Sequence, residues 1–116
     1  MNPRLHTSFC ELVGVEMPIV QTGMGWVAGP ALVSASANAG ALGILASATM
    51  DFAQLRESIT EVKGSTDRPF GVNLRADSAD VGDRIRLLID ENVRVASFAQ
   101  APKQNLIDQL RDAGVL

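Results

Sequence analysis

The stretch PIVQTGMGWVAGP, Pro18 to Pro30, changes character twice in quick succession. An apolar run, Pro18–Gln21, breaks at Gly23 and Gly25. Gly29-Pro30 then opens onto a segment of small apolar residues, Ala31, Leu32, Val33, Ala35 and Ala37. Proline suits the first turn of a helix, where its missing N–H has no helical acceptor to lose. Gly40 suits the stop of that helix. The stretch therefore reads as strand, glycine turn and helix start, the arrangement from which phosphate and cofactor sites are built.

Working outward, three more apolar runs have the same setting: Leu42–Ala46, Pro69–Leu74 and Val93–Phe98. None alternates with polar residues, which fits parallel strands covered on both faces. Each is followed by a helical pattern. Asp51 and Gln54 have the spacing of a capping box. Phe52, Leu55, Ile59 and Val62 then share one helix face. A third helix is expected from Val81, with Ile85, Leu88 and Ile89 inward. A fourth is expected from Pro102, with Leu106, Ile107, Leu110 and Ala113 inward and Gly114 as its stop. Strands begin about 25 residues apart, one βα unit each. The four strand tips, where parallel βα folds carry function, are then Gln21–Trp26, Ser47–Met50, Asn73–Asp77 and Ser97–Lys103.

With 116 residues, 47% hydrophobic and 20% charged, the chain reads as a single globular domain over residues 1–116. A net charge of −3 and the lack of a basic patch argue against nucleic acid and against anionic membrane as partners. The N-terminus lacks a signal-peptide core. No apolar run reaches the length of a membrane span. A cytoplasmic location is therefore expected. One cysteine, Cys10, and one histidine, His6, leave no internal disulfide and no zinc-ligand set. Cys10 reads as a small buried hydrophobe, and His6 as a solvated terminal residue.

The spacing Gly23-x-Gly25-x-x-x-Gly29 misses the dinucleotide fingerprint by one position. The second strand also ends without the carboxylate that would hold a ribose. Glycines at such a tip do something simpler: they let a flat ligand approach the backbone. The residues by themselves leave open a tight turn with Met24 in the core, and for Asn73 a plain strand-ending turn.

Taken together, PIVQTGMGWVAGPALVSASANAGALGILASATM, DRPFGVNLRAD and RVASFAQAPK resemble the nitronate monooxygenase family, formerly called 2-nitropropane dioxygenases. The resemblance runs from about Leu12 to the end of the chain. It implies an FMN-dependent (β/α)8 TIM barrel of α/β class, of which these residues make the first four βα units. A whole barrel takes ~250 residues. Val115-Leu116 stands where a fifth strand would begin. Inward residues among Ile19, Leu45, Val72 and Val95 would line the interior.

By the same resemblance Gln21, Thr22, Gly23, Met24 and Gly25 lie along the flavin ring, with backbone groups of Thr22, Gly23 and Met24 at its polar edge. Asn73 contacts the flavin, where an amide both donates and accepts. Three departures stand out. Thr22-Gly23 replaces the family's common Ala-Pro before Met24. Trp26 stands where a glycine is often found, on the substrate side. Arg75 and Lys103 add two cations near the mouth, and together with Trp26 and Ser97 they are the candidate substrate residues. This variant resembles the branch linked to bacterial sterol-ring degradation, whose flavin enzymes act on acyl-CoA substrates. Arg75 and Lys103 would then meet CoA phosphates, or else be solvated loop charges.

The family's catalytic histidine and its glycine-rich phosphate loops belong to the second half of the barrel. No catalytic residue is therefore expected within these residues, and the chain alone is expected to be inactive. The implied activity is oxidation of nitronates through FMN. Two alternatives accompany it: flavin-dependent reduction or dehydrogenation of a sterol-derived acyl-CoA, and a non-catalytic βα fragment. Open sheet edges would make the chain a candidate homo-oligomer.

Overall fold

A computed structural model describes residues 3–116. A short 3-10 turn at Pro3–Leu5 leads into helix α1, Ser8–Val13. Four βα units follow: β1 Val20–Gln21 and α2 Pro30–Asn38; β2 Leu42–Ala46 and α3 Phe52–Ser65; β3 Phe70–Leu74 and α4 Val81–Asp90; β4 Val95–Phe98 and α5 Gln104–Asp112. The strands form one parallel sheet in the order β1-β2-β3-β4. Sequential order with helical crossovers is the outcome that right-handed βαβ connections favour.

Register separates the two sheet faces. Gly43 pairs with Phe70 and Leu45 with Val72, and these positions face the helices. There Leu45, Phe70, Val72 and Leu74 pack with Val33 of α2, Leu55, Ile59 and Val62 of α3, and Ile85 and Leu88 of α4. Leu42 and Ile44 point the other way and pack with Cys10, Val13 and Val15. Leu45 and Val72 therefore line the helix-covered core and not the barrel interior. Among the four strand residues considered for that interior, Val95 packs on the interior side, while Ile19 is 53% exposed. The sign of each follows from the two-residue period of a strand, which only pairing register can fix.

Helix α1 has no counterpart in the sequence reading. It closes the interior face at the N-terminal end of the sheet, with Cys10 and Val13 buried beneath it. Its six residues are too few to show a clear helical period. Cys10 is buried, as expected. His6 is half-exposed and pairs with Glu11 at 2.7 Å.

Local signals fared well. Asp51 caps α3 reciprocally: its carboxylate accepts from the Gln54 N–H, and the Gln54 side chain accepts from the Asp51 N–H, both at 2.8 Å. Helix α2 starts at Pro30 and ends before Gly40, whose φ is +100°. Helix α5 starts at Gln104, two residues later than Pro102. Its Ile107 and Ala113 are exposed, contrary to the inward expectation, whereas Leu110 is buried.

Beyond α5 the chain returns to the sheet. The Leu116 N–H donates to the Arg94 carbonyl at 3.0 Å, and the Ala96 N–H donates to the Leu116 carbonyl at 2.8 Å. Leu116 thus occupies the place of a fifth strand's first rung beside β4.

Candidate functional site

The C-terminal ends of the strands gather the candidate residues. At the first tip the ladder stops after Gln21. The Gln21 side-chain amide donates to the Ile44 carbonyl at 3.1 Å, the acceptor that the next rung would have used. It also donates to the carbonyl of Thr22. The chain is thereby released from the sheet, and Gln21 acts as a strand cap. Its Oε1 is buried without a partner.

The released segment is a compact turn. The Met24 N–H donates to the Thr22 carbonyl at 3.0 Å, and the Met24 carbonyl accepts from Val27 and Ala28 at 3.1 and 2.8 Å. The N–H groups of Gly23, Gly25 and Trp26 donate to nothing within the described chain. The Met24 N–H, expected at a flavin edge, is instead committed to the turn. Met24 is 42% exposed and is not a core residue. Trp26 is 88% exposed, with φ +65°. That backbone conformation is rare for an aromatic residue and ordinary for glycine.

Gly23 lies directly over the third tip. A Cβ built on it would fall 2.7 Å from the Asn73 Cβ and 3.3 Å from the Ile44 Cγ2. Only glycine allows the first tip to sit this close to β3. Asn73 pairs with Ala46 on one side and Ser97 on the other. Its Nδ2 donates to the Ser97 Oγ at 2.9 Å. The second amide proton and the Oδ1 of Asn73 have no partner among the described residues. Gly23, Asn73 and Ser97 thus share one face of the sheet at one end.

The cations are placed differently. Arg75 forms a two-bond ion pair with Asp77, Nε to Oδ1 at 3.0 Å and Nη2 to Oδ2 at 2.9 Å. The pair raises the Arg75 pKa and lowers that of Asp77, chiefly through the hydrogen bonds between them. Arg75 is therefore engaged by its own loop. Lys103 is exposed at the start of α5.

Asp80 and Arg84 escaped the sequence reading. Arg84 of α4 is only 8% exposed. Its Nε donates to Asp80 at 2.9 Å, Nη1 to the Ser47 carbonyl at 2.8 Å and Nη2 to the Met50 carbonyl at 2.7 Å. Ser47 in turn donates through Oγ to the Asn73 carbonyl at 2.6 Å. The Ser47–Met50 tip was legible as a functional loop, and Asp80 and Arg84 have i,i+4 spacing. Nothing in the sequence said that Arg84 points across to another unit. Among the described residues no group of histidine, cysteine and carboxylate side chains could hold a metal. No helix among the described residues is long and apolar enough to cross a membrane.

This geometry has relatives. The sequence profile of nitronate monooxygenase matches residues 6–86. The chain belongs to the nitronate monooxygenase family. Over 113 residues, 97% of the chain, it is 66% identical to the (3aS,4S,5R,7aS)-5-hydroxy-7a-methyl-1-oxo-octahydro-1H-indene-4-carboxyl-CoA dehydrogenase of Mycobacterium tuberculosis, covering 32% of that protein. FabK from Thermotoga maritima superposes with a TM-score of 0.90 at 35% identity, over 95% of this chain and 35% of that one. A nitroalkane oxidase from Streptomyces ansochromogenes gives 0.81 at 28% identity, over 95% and 41%. The chain spans about a third of the length of this dehydrogenase and of its Rhodococcus jostii counterpart. Its four units have the TIM-barrel architecture of these oxidoreductases, and the nitronate monooxygenase family is one of flavin enzymes.

Proposed function

We propose that these residues form one wall of an FMN site in a cytoplasmic oxidoreductase of nitronate monooxygenase type, as the N-terminal half of its barrel. The observation that carries this reading is the approach of Gly23 to Asn73. A tip without a side chain, bearing free N–H groups, lies beside a half-exposed amide with unused donor and acceptor capacity. These residues fit the polar edge of an isoalloxazine. Gly23 and Gly25 would offer backbone N–H groups, and Asn73 its Oδ1 and second N–H. Met24 would offer a polarisable thioether against the ring. FMN supplies electron or hydride transfer when bound; the protein orients it and excludes water. Gln21 holds the tip open by capping β2, and Ser97 fixes the Asn73 amide. Proton removal from a substrate is assigned to residues outside this chain.

Membership of the family and likeness to a nitroalkane oxidase support oxidation of nitronates. A second reading is favoured by one observation, the 66% identity to a carboxyl-CoA dehydrogenase over nearly the whole chain. On that reading the substrate is a bicyclic ring carboxyl-CoA, with Trp26 against the ring system and Lys103 near the CoA phosphates. Taken alone, without the strands that would close the barrel, these residues would pair with a second copy through the outer edge of β1.

The test uses the full-length protein. Its visible spectrum and the mass of any released cofactor identify the flavin. Anaerobic mixing with an alkyl nitronate and, separately, with a ring carboxyl-CoA thioester shows which one bleaches the flavin absorbance. A colourless protein that takes up no added FMN would overturn the assignment.

A further inference from the structure

We propose that Ser47 and Arg84 are positioning residues for Asn73, an inference that rests on the flavin reading above. The β2–β3 ladder ends at the pair Ala46 and Asn73. Beyond it the Ser47 N–H reaches the Asn73 carbonyl only at 3.3 Å, a long last rung. The Ser47 Oγ adds a much shorter bond to the same carbonyl, 2.6 Å. Ser47 is 1% exposed, so this bond is sheltered from water. Its strength depends on where Ser47 stands, and Arg84 sets that by holding the Ser47 and Met50 carbonyls with two nitrogens of one rigid guanidinium. Asp80 holds the third nitrogen.

A continuous path thus runs from α4 to the β2 tip, to the end of β3, and through Asn73 to Ser97 on β4. Burying a guanidinium is a costly way to gain stability, since apolar side chains of similar volume often do as well. Its planar fork does what an apolar side chain cannot: it fixes two carbonyls of one loop at once. The loop it fixes is the one that anchors Asn73.

The prediction is read in the full-length protein with the variants Ser47→Ala, Arg84→Lys and Asn73→Ala. Ser47→Ala removes one oxygen and keeps the packing. It should raise the Kd for FMN about five- to tenfold, the scale of one lost sheltered hydrogen bond. It should also shift the bound-flavin spectrum and speed hydrogen exchange across residues 70–75 in the flavin-free protein. In the Asn73→Ala background the same change should alter the FMN Kd less than about twofold, because its effect is carried by the Asn73 side chain. Arg84→Lys keeps the charge but loses the fork, and should reproduce the spectral shift and the faster exchange. Unchanged Kd, spectrum and exchange in Ser47→Ala and Arg84→Lys would overturn the proposal. So would a Ser47→Ala effect on Kd that simply adds to that of Asn73→Ala. If the wild-type protein holds no flavin, the functional reading fails instead. Exchange at residues 70–75 then still decides the positioning, and equal rates in wild type and variants would refute it.

Discussion

A Cβ on Gly23 would stand 2.7 Å from the Cβ of Asn73, closer than two such atoms are found. The first strand tip rests on the third only because residue 23 has no side chain. Gly23→Ala should push the tip off β3, cost about 1–3 kcal/mol as an overpacked contact, and lower flavin content. Thermal melts and the ratio of flavin to protein in the full-length protein check both effects. A variant that keeps its flavin and melts like wild type would show that the tip tolerates the displacement.

Asn73→Ala removes the bond to Ser97 and the amide offered to the ligand. FMN binding should weaken by about 1–2 kcal/mol, the range for a lost sheltered hydrogen bond. Fluorescence titration of the apoprotein measures it. Equal affinity would leave Asn73 as a strand-ending residue.

Trp26 sits at φ +65° and is 88% exposed, so it contributes little burial in return for its backbone conformation. The left-handed conformation costs an L-residue about 1–2 kcal/mol, while glycine gives back about 0.5–1 kcal/mol in unfolded-state entropy. Trp26→Gly should therefore leave the melting temperature equal or slightly raised. Flavin content should hold while the preference between nitronate and ring carboxyl-CoA changes. A variant with unaltered kcat/KM for both substrates would remove Trp26 from the substrate side.

Gly43 in β2 faces α2, where an added Cβ would meet the Val33 carbonyl oxygen at 2.6 Å. Backbone cannot rotate away as a side-chain end can. Gly43→Ala should cost about 2–3 kcal/mol by forcing helix and strand apart, without touching the ligand face. Denaturant melts check the cost; a shift below about 0.5 kcal/mol would show that α2 slides freely on the sheet.

Asp80 accepts hydrogen bonds from the Ser78 Oγ at 2.6 Å and from the Arg84 Nε at 2.9 Å, and these hold its pKa below the ordinary carboxylate value. A lowered folded-state pKa gives stability that is present above the unfolded value, near ~4, and is lost as pH falls through the folded value. The melting difference between wild type and Asp80→Asn should therefore be constant from neutral pH down to about pH 5, and shrink in more acid solution. A difference that grows on acidification would contradict this sign.

The sequence by itself determined the four βα units, their order, the capping box at Asp51 and Gln54, and the tip on which the glycines lie. These rest on local physics: turn residues, helix caps and runs of apolar side chains act over a few positions, so a linear reading captures them. It also placed Asn73 and the first tip at one end, because parallel units have only one arrangement of their strand ends. Tertiary structure alone decided which way each strand residue faces. Leu45 and Val72 turned to the helices and Ile44 to the interior, since pairing register is a long-range property. It decided that Arg75 is spent on Asp77 and that Ile107 stays exposed on α5. It alone revealed α1 beneath the interior face and Arg84 reaching across to Ser47. A buried cation's partners are backbone carbonyls of a distant loop, and a carbonyl has no letter in a sequence.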